Sequence, residues 1–419
     1  MRFIHASDLH IDSPLRGLDR YEGAPVERLR NATRSAFERL VDLALAERVD
    51  FLLLAGDIYD RDWQDFHTGL FFRGQMVRLE RSAIRCFIVQ GNHDAQGVIS
   101  RQLTLPANVT VFSSRSAQTI RLDDLSVAIH GRSFPEREVN EDLVPSYPPP
   151  VQGCFNIGLL HTSLTGRAGH DTYAPTDLPT LVAKGYDYWA LGHVHAREVL
   201  NERPRIVFCG NLQGRHAKET GAKGCELVTV EAGRIEAEFI ALDVVRWSQL
   251  PVPLDGVDRL ELLDEAFARA LEPVLAGTTD RLHAVRVTLT GSTELHRLEA
   301  EQPGTLAAAM YAAAQDIGTA EIWIEQVRLD LSTPLDRAQA AQRQDAVGEL
   351  VRLVDTIAGD DAELMRRAQV ELGDLLGAMP AEVTAGDVPR LDDPAELRSL
   401  LMDAEATVLA RLSASGEDA

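Results

Sequence analysis

Several things are scarce in this chain of 419 residues, and each scarcity closes off a class of protein. Cysteine occurs four times, as Cys86, Cys154, Cys209 and Cys225, far apart and with no Cys-x-x-Cys pair. That spacing speaks against a disulfide framework and for a reduced, cytoplasmic setting. No run approaches the roughly 18 apolar residues of a membrane span. The first residues, Met1 to Asp8, turn polar too soon for a secretory signal. No membrane partner is expected. Base is short against acid: 42 Lys+Arg face 64 Asp+Glu, a net charge of −22. Taken whole, that balance repels a polyanion such as nucleic acid. Hydrophobic residues at 45% and charged residues at 25% are ordinary for a globular protein, which excludes a mainly disordered or collagen-like chain. The length predicts two to three domains.

The acid is unevenly spread. Residues 1–245 hold 27 basic and 32 acidic residues, a net of −5. Residues 246–335 carry −7 and residues 336–419 carry −10. The last lysine is Lys223, the last aromatic is Trp323, and ten of the twelve histidines lie at or before His216. A histidine-rich front and an acidic, aromatic-free back suggest different tasks, with junctions near Pro251–Pro253 and Pro334.

The front alternates short apolar runs with helical patterns. Residues 51–55, 86–89, 156–160 and 188–191 read as buried strands, each ending at Gly, His or Asn. Residues 26–47 place Leu29, Phe37, Leu40, Val41 and Ala44 at helical spacing. The spacing predicts an α/β arrangement with covered sheet faces. Residues 257–275 and 304–316 read as helices and 282–290 and 320–331 as strands, a small α/β module. Residues 338–357, 361–378 and 393–413 read as amphipathic helices, the last opened by Asp393-Pro394.

Five motifs follow strand-like runs: Asp8-Leu9-His10, Gly56-Asp57-Ile58-Tyr59-Asp60, Gly91-Asn92-His93-Asp94, His161, and Gly192-His193-Val194-His195. Each sets a metal-competent side chain just past the carboxyl end of a strand, where open α/β sheets place their sites. Two divalent ions roughly 3.5–4 Å apart need a shared carboxylate and mixed N/O ligands. In an extended loop, residues i and i+2 share a side, so Asp8 and His10 can reach one ion, and His193 and His195 have the same geometry. Asp57, alone after its strand, is the natural bridge, and Asn92 offers a neutral amide oxygen. Any one motif could be a polar turn or a satisfied histidine; their joint occurrence in this order argues for metal.

With these residues in view, the front 245 residues resemble the calcineurin-like metallophosphoesterase superfamily, and within it the SbcD-type DNA repair exonucleases. The runs Gly210-Asn211-Leu212-Gln213-Gly214-Arg215-His216 and Glu219-Thr220-Gly221-Ala222-Lys223-Gly224-Cys225 resemble the YhaO branch. The resemblance implies a four-layer metallophosphoesterase sandwich of two sheets flanked by helices over 1–245. A small α/β capping domain over 246–335 and a helical C-terminal region over 336–419 would follow. It implies two divalent ions, Mn²⁺ above all, which suits an O/N site. One ion would be held by Asp8, His10 and His195, the other by Asn92, His161 and His193, with Asp57 bridging. His93 would stabilise or protonate the leaving oxygen, oriented by Asp94. The implied activity is DNA exonuclease or phosphodiesterase action in repair, by two-metal hydrolysis with metal-activated water. Asp60 stands where some relatives carry a histidine, so that histidine's role does not carry over.

Implied partners are DNA as substrate, a coiled-coil SbcC-like ATPase docked on the terminal helices, and a second copy of the chain, since relatives often pair as dimers. The alternative for the terminal helices is a self-contained helical subdomain; docking is favoured, on the resemblance more than on the pattern. Arg132 and Arg215 are candidate phosphate contacts or ordinary ion-pair arginines. Trp63 and Phe66 could wall the substrate or pack against core. His5 and His130 are expected to pack against strands. Competing readings are a phosphatase or cyclic-nucleotide phosphodiesterase on the same fold, and a mainly structural subunit of a repair complex. Since the front carries only −5, two divalent ions nearly cancel it, and the overall acidity does not exclude a DNA substrate.

Overall fold

In a strand, neighbouring side chains face opposite ways, and this alternation builds the layers. In β1 (Arg2–Ala6) of the computed structural model, Phe3 enters one core and Ile4 another. The structure describes residues 1–13, 23–60, 66–95, 104–165, 173–276, 278, 280–318, 320–379 and 390–414. The strands β2 (Phe51–Ala55), β3 (Arg85–Val89) and β4 (Val109–Val111) continue in parallel from β1. A second sheet is built from β5 (Gln118–Leu122), β6 (Val127–Gly131), β7 (Phe155–His161), β8 (Tyr188–Gly192), β9 (Glu198–Glu202) and β10 (Arg205–Phe208). Its order is β5-β6-β7-β8-β10-β9, with β6, β7, β8 and β10 parallel. The hairpin of β11 (Gly224–Glu231) and β12 (Arg234–Ala241) closes the first sheet, in the order β12-β11-β1-β2-β3-β4.

The two sheets face each other across Phe3, Phe51, Phe87, Ile157 and Tyr188. Phe3 stacks on Phe51 at 5.0 Å and meets Tyr188 edge-on at 5.3 Å. On the outer side of the first sheet, α1 (Val26–Ala46) and α2 (Phe66–Arg81) bury Phe37, Leu40, Val41, Phe72 and Met76 against Ile4, Leu52 and Leu54. On the outer side of the second, Leu181 of α3 (Leu178–Ala183) joins Leu160, Trp189 and Leu191. This is the expected sandwich: helix, sheet, sheet, helix. His5 and His130 also pack as expected. His5 is hydrogen-bonded to the Tyr188 hydroxyl and Leu191 carbonyl, and His130 stacks on Tyr186.

Contacts divide the chain into two compact units: Met1–Ser248 with Asp280–Ala284, and Gln249–Thr279 with Val285–Ala419. The second unit takes in both the α/β module and the terminal helices. Its sheet has the order β13-β14-β15, from β13 (Val245–Pro253), β14 (Leu282–Ser292) and β15 (Glu321–Ser332). Pro251 and Pro253, read as a junction, lie inside β13; an edge strand tolerates proline because one side of its ladder is open. The helices α4 (Leu263–Leu275), α5 (Leu295–Glu301) and α6 (Thr305–Asp316) cover the sheet through Phe267, Leu271, Leu306 and Met310. The helix expected over 338–357 is two, α7 (Arg337–Ala340) and α8 (Ala346–Ala358). The Asp345 carboxylate accepts from Gly348 N and caps α8, which starts a new helix there. The helices α9 (Asp361–Gly377) and α10 (Pro394–Ala414) complete the unit. No helix among the described residues is long and apolar enough to cross a membrane.

Candidate metal centre

Parallel strands deliver their carboxyl ends to one edge. β1, β2 and β3 lie side by side in one sheet, and β7 and β8 in the other. Asp8 and His10 follow β1, Asp57 follows β2, Asn92 and His93 follow β3, His161 ends β7, and His193 and His195 follow β8. The turns that carry them are strained. Asp8, His10, Asp57 and His193 have φ of 51°, 42°, 53° and 101°, the left-handed region that costs a non-glycine residue about 1–3 kcal/mol. Two glycines make the close approach feasible. A Cβ on Gly91 would lie 2.3 Å from Asp57 Oδ1, and one on Gly192 would lie 1.9 Å from the Ala55 carbonyl oxygen.

The side chains gather in two clusters, Asp8 with His10 and His195, and Asp57 with His161 and His193, and a third group joins His10 to Asp60 and His93. The His193–His195 pair therefore divides between the clusters, although i and i+2 spacing allowed both at one ion. His10 Nε2 and His195 Nε2 face each other at 3.2 Å, and His195 Nε2 lies 3.7 Å from Asp8 Oδ1. Asp8 is held by Ser7 Oγ at 2.5 Å and by His193 N at 3.0 Å. Asp57 Oδ2 lies 3.5 Å from His161 Nε2 and 4.0 Å from His10 Nε2, between the clusters. Asn92 Oδ1 is 3.0 Å from His161 Nε2. All of these but the half-buried His195 are buried.

The donor chemistry fits divalent ions. The outer nitrogens of His10 and His195 are engaged, Nδ1 of His10 with Asp60 Oδ1 at 2.7 Å and Nδ1 of His195 with Glu219 Oε1 at 2.7 Å. A carboxylate on Nδ1–H fixes the tautomer and leaves the Nε2 lone pair for an ion. His161 donates Nδ1–H to the Ala55 carbonyl at 2.8 Å. Burial disfavours charge on His161, but Asp57 outweighs it and pushes the imidazole up to about 9. Burial raises Asp57 in turn, and His161, His10 and His93 overcome it, holding the carboxyl well below its usual range. The cluster therefore calls for positive charge, which a divalent ion bound there would supply in place of the proton, since a ligating imidazole is neutral.

The carboxylate beside His93 is Asp60, not the adjacent Asp94. Asp60 Oδ1 stands 3.1 Å from His93 Nδ1. Asp94 instead accepts from Ile58 N, Tyr59 N and Gly91 N, tying the second motif to the third. Burial and then the charge of Asp57 push the Asp94 carboxyl up to about 7. Arg215 has Asp60 at 3.6 Å, Glu219 at 3.1 Å and His195 Nδ1 at 3.4 Å. Arg132 reaches Ser146 Oγ and Glu141, and none of its described contacts is with the clusters. Phe66 is exposed at the start of α2, and Trp63 lies outside the described residues. A cavity of about 910 Å³ lined by Tyr186, Arg203, Arg205 and Arg234 shares no residue with the clusters.

Sequence reasoning missed the parts played by Asp60 and Glu219. The signal for Asp60 was its place in the second motif, and that for Glu219 was the run from Gly210 to Cys225, which wraps the fifth motif. The His195 carbonyl accepts from Asn211 N at 3.3 Å and Lys223 Nζ at 2.8 Å, and Asn211 Nδ2 donates to Glu219 at 2.9 Å.

Metal-competent side chains gathered at the carboxyl edge of a two-sheet α/β sandwich are the architecture of a metal-dependent phosphoester hydrolase. Residues 1–197 match the calcineurin-like phosphoesterase family, and residues 247–332 match the middle domain of metallophosphoesterase YhaO. The chain is 34% identical over 344 residues to the uncharacterized metallophosphoesterase YhaO of Bacillus subtilis (strain 168), covering 80% of this chain and 82% of that one. It is 26% identical over 212 residues to the DNA double-strand break repair protein Mre11 of Methanopyrus kandleri, covering 46% and 44%. A dimetal phosphatase from Danio rerio aligns at 10% identity and a TM-score of 0.35, over 58% of this chain and 96% of that one. The chain belongs to the calcineurin-like metallophosphoesterases, whose fold uses divalent metals.

Proposed function

We propose that the chain is a Mn²⁺-dependent phosphodiesterase that degrades DNA ends in repair, in the cytoplasm and together with a coiled-coil ATPase. The observation that carries the hydrolytic part is the position of Asp57 Oδ2 between His161 Nε2 and His10 Nε2, the place of a shared carboxylate. Asp8, His10 and His195 would hold one ion and Asn92, His161 and His193 the other. Bound there, the ions would neutralise phosphoryl charge and activate water. His93 lies against His10, ring centroids 4.9 Å apart, with Nδ1 beside Asp60. Asp60 thus fixes the ring and leaves Nε2 as the atom that passes a proton to the leaving oxygen. The likeness to Mre11 supports DNA as substrate.

The segment over 246–335 is read as the capping domain and 336–419 as the ATPase-docking region. The exposed Leu353, Val370 and Leu375 support docking by helix packing. Pairing of two copies belongs to the same reading. Purified full-length protein with Mn²⁺ should cleave single- or double-stranded DNA, and EDTA should abolish cleavage. Hydrolysis confined to phosphomonoesters or cyclic nucleotides would make it a phosphatase or cyclic-nucleotide phosphodiesterase. Deleting 336–419 should abolish co-purification with the ATPase and leave metal binding intact; undiminished co-purification removes the docking assignment.

A further inference from the structure

The two clusters are supported differently. Behind the first stands a frame of ionised side chains: Asp60 on His10 Nδ1, Glu219 on His195 Nδ1, and Arg215 reaching both carboxylates. Arg215 is mostly buried, and Glu219 also accepts from Arg215 N at 2.8 Å and Asn211 Nδ2 at 2.9 Å. Behind the second, the support of His161 is a backbone carbonyl, that of Ala55. We infer that Arg215, Glu219 and Asp60 form a positioning frame for the first ion, with Arg215 holding in register the two carboxylates that aim His10 and His195.

This rests on the two-ion reading given above. The two carboxylates come from distant parts of the chain: Asp60 from the loop after β2, Glu219 from the segment before β11. The guanidinium spans them with Nη2 donating to Glu219 at 3.1 Å and Nη1 in an ion pair with Asp60 at 3.6 Å, two positions fixed by a planar fork that a lysine ammonium lacks. Partners of this kind behind a ligating histidine typically carry a 10–100-fold effect on metal affinity. Position and charge make opposite predictions for Arg215. Removing a cation next to a metal site should tighten a divalent ion if charge governs; removing a clamp should loosen it if position governs.

The test is a titration of manganese chloride into the metal-free full-length protein by calorimetry, with bound Mn²⁺ counted by electron paramagnetic resonance. A His195→Ala variant identifies which binding step belongs to the first cluster. Glu219→Gln should weaken that step by about 10–100-fold and leave the other unchanged. Arg215→Gln and Arg215→Lys should both weaken the same step, and the lysine should not rescue it. Binding of the first ion by Arg215→Gln as tightly as by the wild type, or more tightly, overturns the inference. If circular dichroism shows the Arg215 variants unfolded, Glu219→Gln, which preserves shape, decides alone: unchanged affinity overturns the frame. A wild-type protein that binds fewer than two ions overturns the two-ion reading itself, a result seen before any substitution is made.

Discussion

The first unit and the terminal helices of the second place most of their ionisable side chains differently. In the first, Asp8, Asp57, Glu219, Glu226 and Asp243 are buried, each against named partners. In the terminal helices of the second, most charges sit on the surface and pair one helical turn apart, as Glu363 does with Arg366 and Arg367, with buried Glu405, held by Arg337, as an exception. Burying a charge costs several kcal/mol unless geometry returns it, whereas an exposed pair is screened by water. Buried carboxylates set against histidines, Asp8, Asp57 and Glu219, therefore mark the site, and most of the negative balance of the tail marks a solvated face. The net charge of the whole chain is a poor guide to its substrate for that reason.

The sharpest way to break this contrast is Asp57→Asn. It keeps the shape and removes the charge that lies between the two clusters. Phosphodiester hydrolysis should fall on the order of 10³-fold, the scale of losing one preorganised electrostatic group. Bound Mn²⁺ should fall below two per chain by elemental analysis. Full activity would mean that Asp57 is a structural acid and the clusters are not joined.

The next largest effect tests whether the units are separate cores. Phe51 is buried between the two sheets of the first unit, and Phe267 is buried in the second. Each alanine substitution should cost about 3–5 kcal/mol. Calorimetry should show Phe51→Ala lowering one thermal transition and Phe267→Ala another. A single transition moved equally by both would show that the units unfold as one.

What could be read in the sequence follows the same division. The central parallel strands of the first unit are buried on both faces, so they appear as apolar runs, and the strand over Phe51–Ala55 has the expected limits. The hairpin of β11 and β12 was not foreseen. One side of β12 is open, its residues alternate between exposed and half-buried, and no metal motif follows it. The ligand-bearing turns were legible because each follows a strand. Their supports were not, because support comes from chain segments distant in sequence. Asp94 is next to His93, yet its carboxylate turns to the backbone of Ile58 and Tyr59, and the loop after β2 brings Asp60 to His93 instead. The break between α7 and α8 was overlooked because Asp345 fits a polar helix face as well as it fits a cap.

A smaller effect separates buried from solvated titration. Burial pushes His5 down to about 4, against the pull of Glu226. Between pH 4 and 6.5 the unfolded chain therefore binds the proton that the folded one refuses, and stability rises with pH across that window. The contribution of neutral His5 is complete above 6.5 and is lost as pH falls towards 4, by about 3 kcal/mol in all. Urea midpoints at pH 7 and pH 4.5 should differ less in His5→Gln than in the wild type. An equal difference would show that His5 is already protonated in the folded unit.

The smallest expected effect is the most direct check on the tail. Glu363 is paired by Arg366 at 2.8 Å and Arg367 at 2.7 Å, and these hydrogen bonds hold its carboxyl down to about 2. Both arginines lie one turn along the same exposed face of α9, so water competes for each bond. Two long side chains also lose rotamer freedom to make them. Glu363→Gln should leave the melting of the second unit where it is, at low salt and at high salt alike. A clear, salt-sensitive loss of stability would show that the acidic face of the helical region is organised rather than merely solvated, and the contrast between the units would have to be drawn elsewhere.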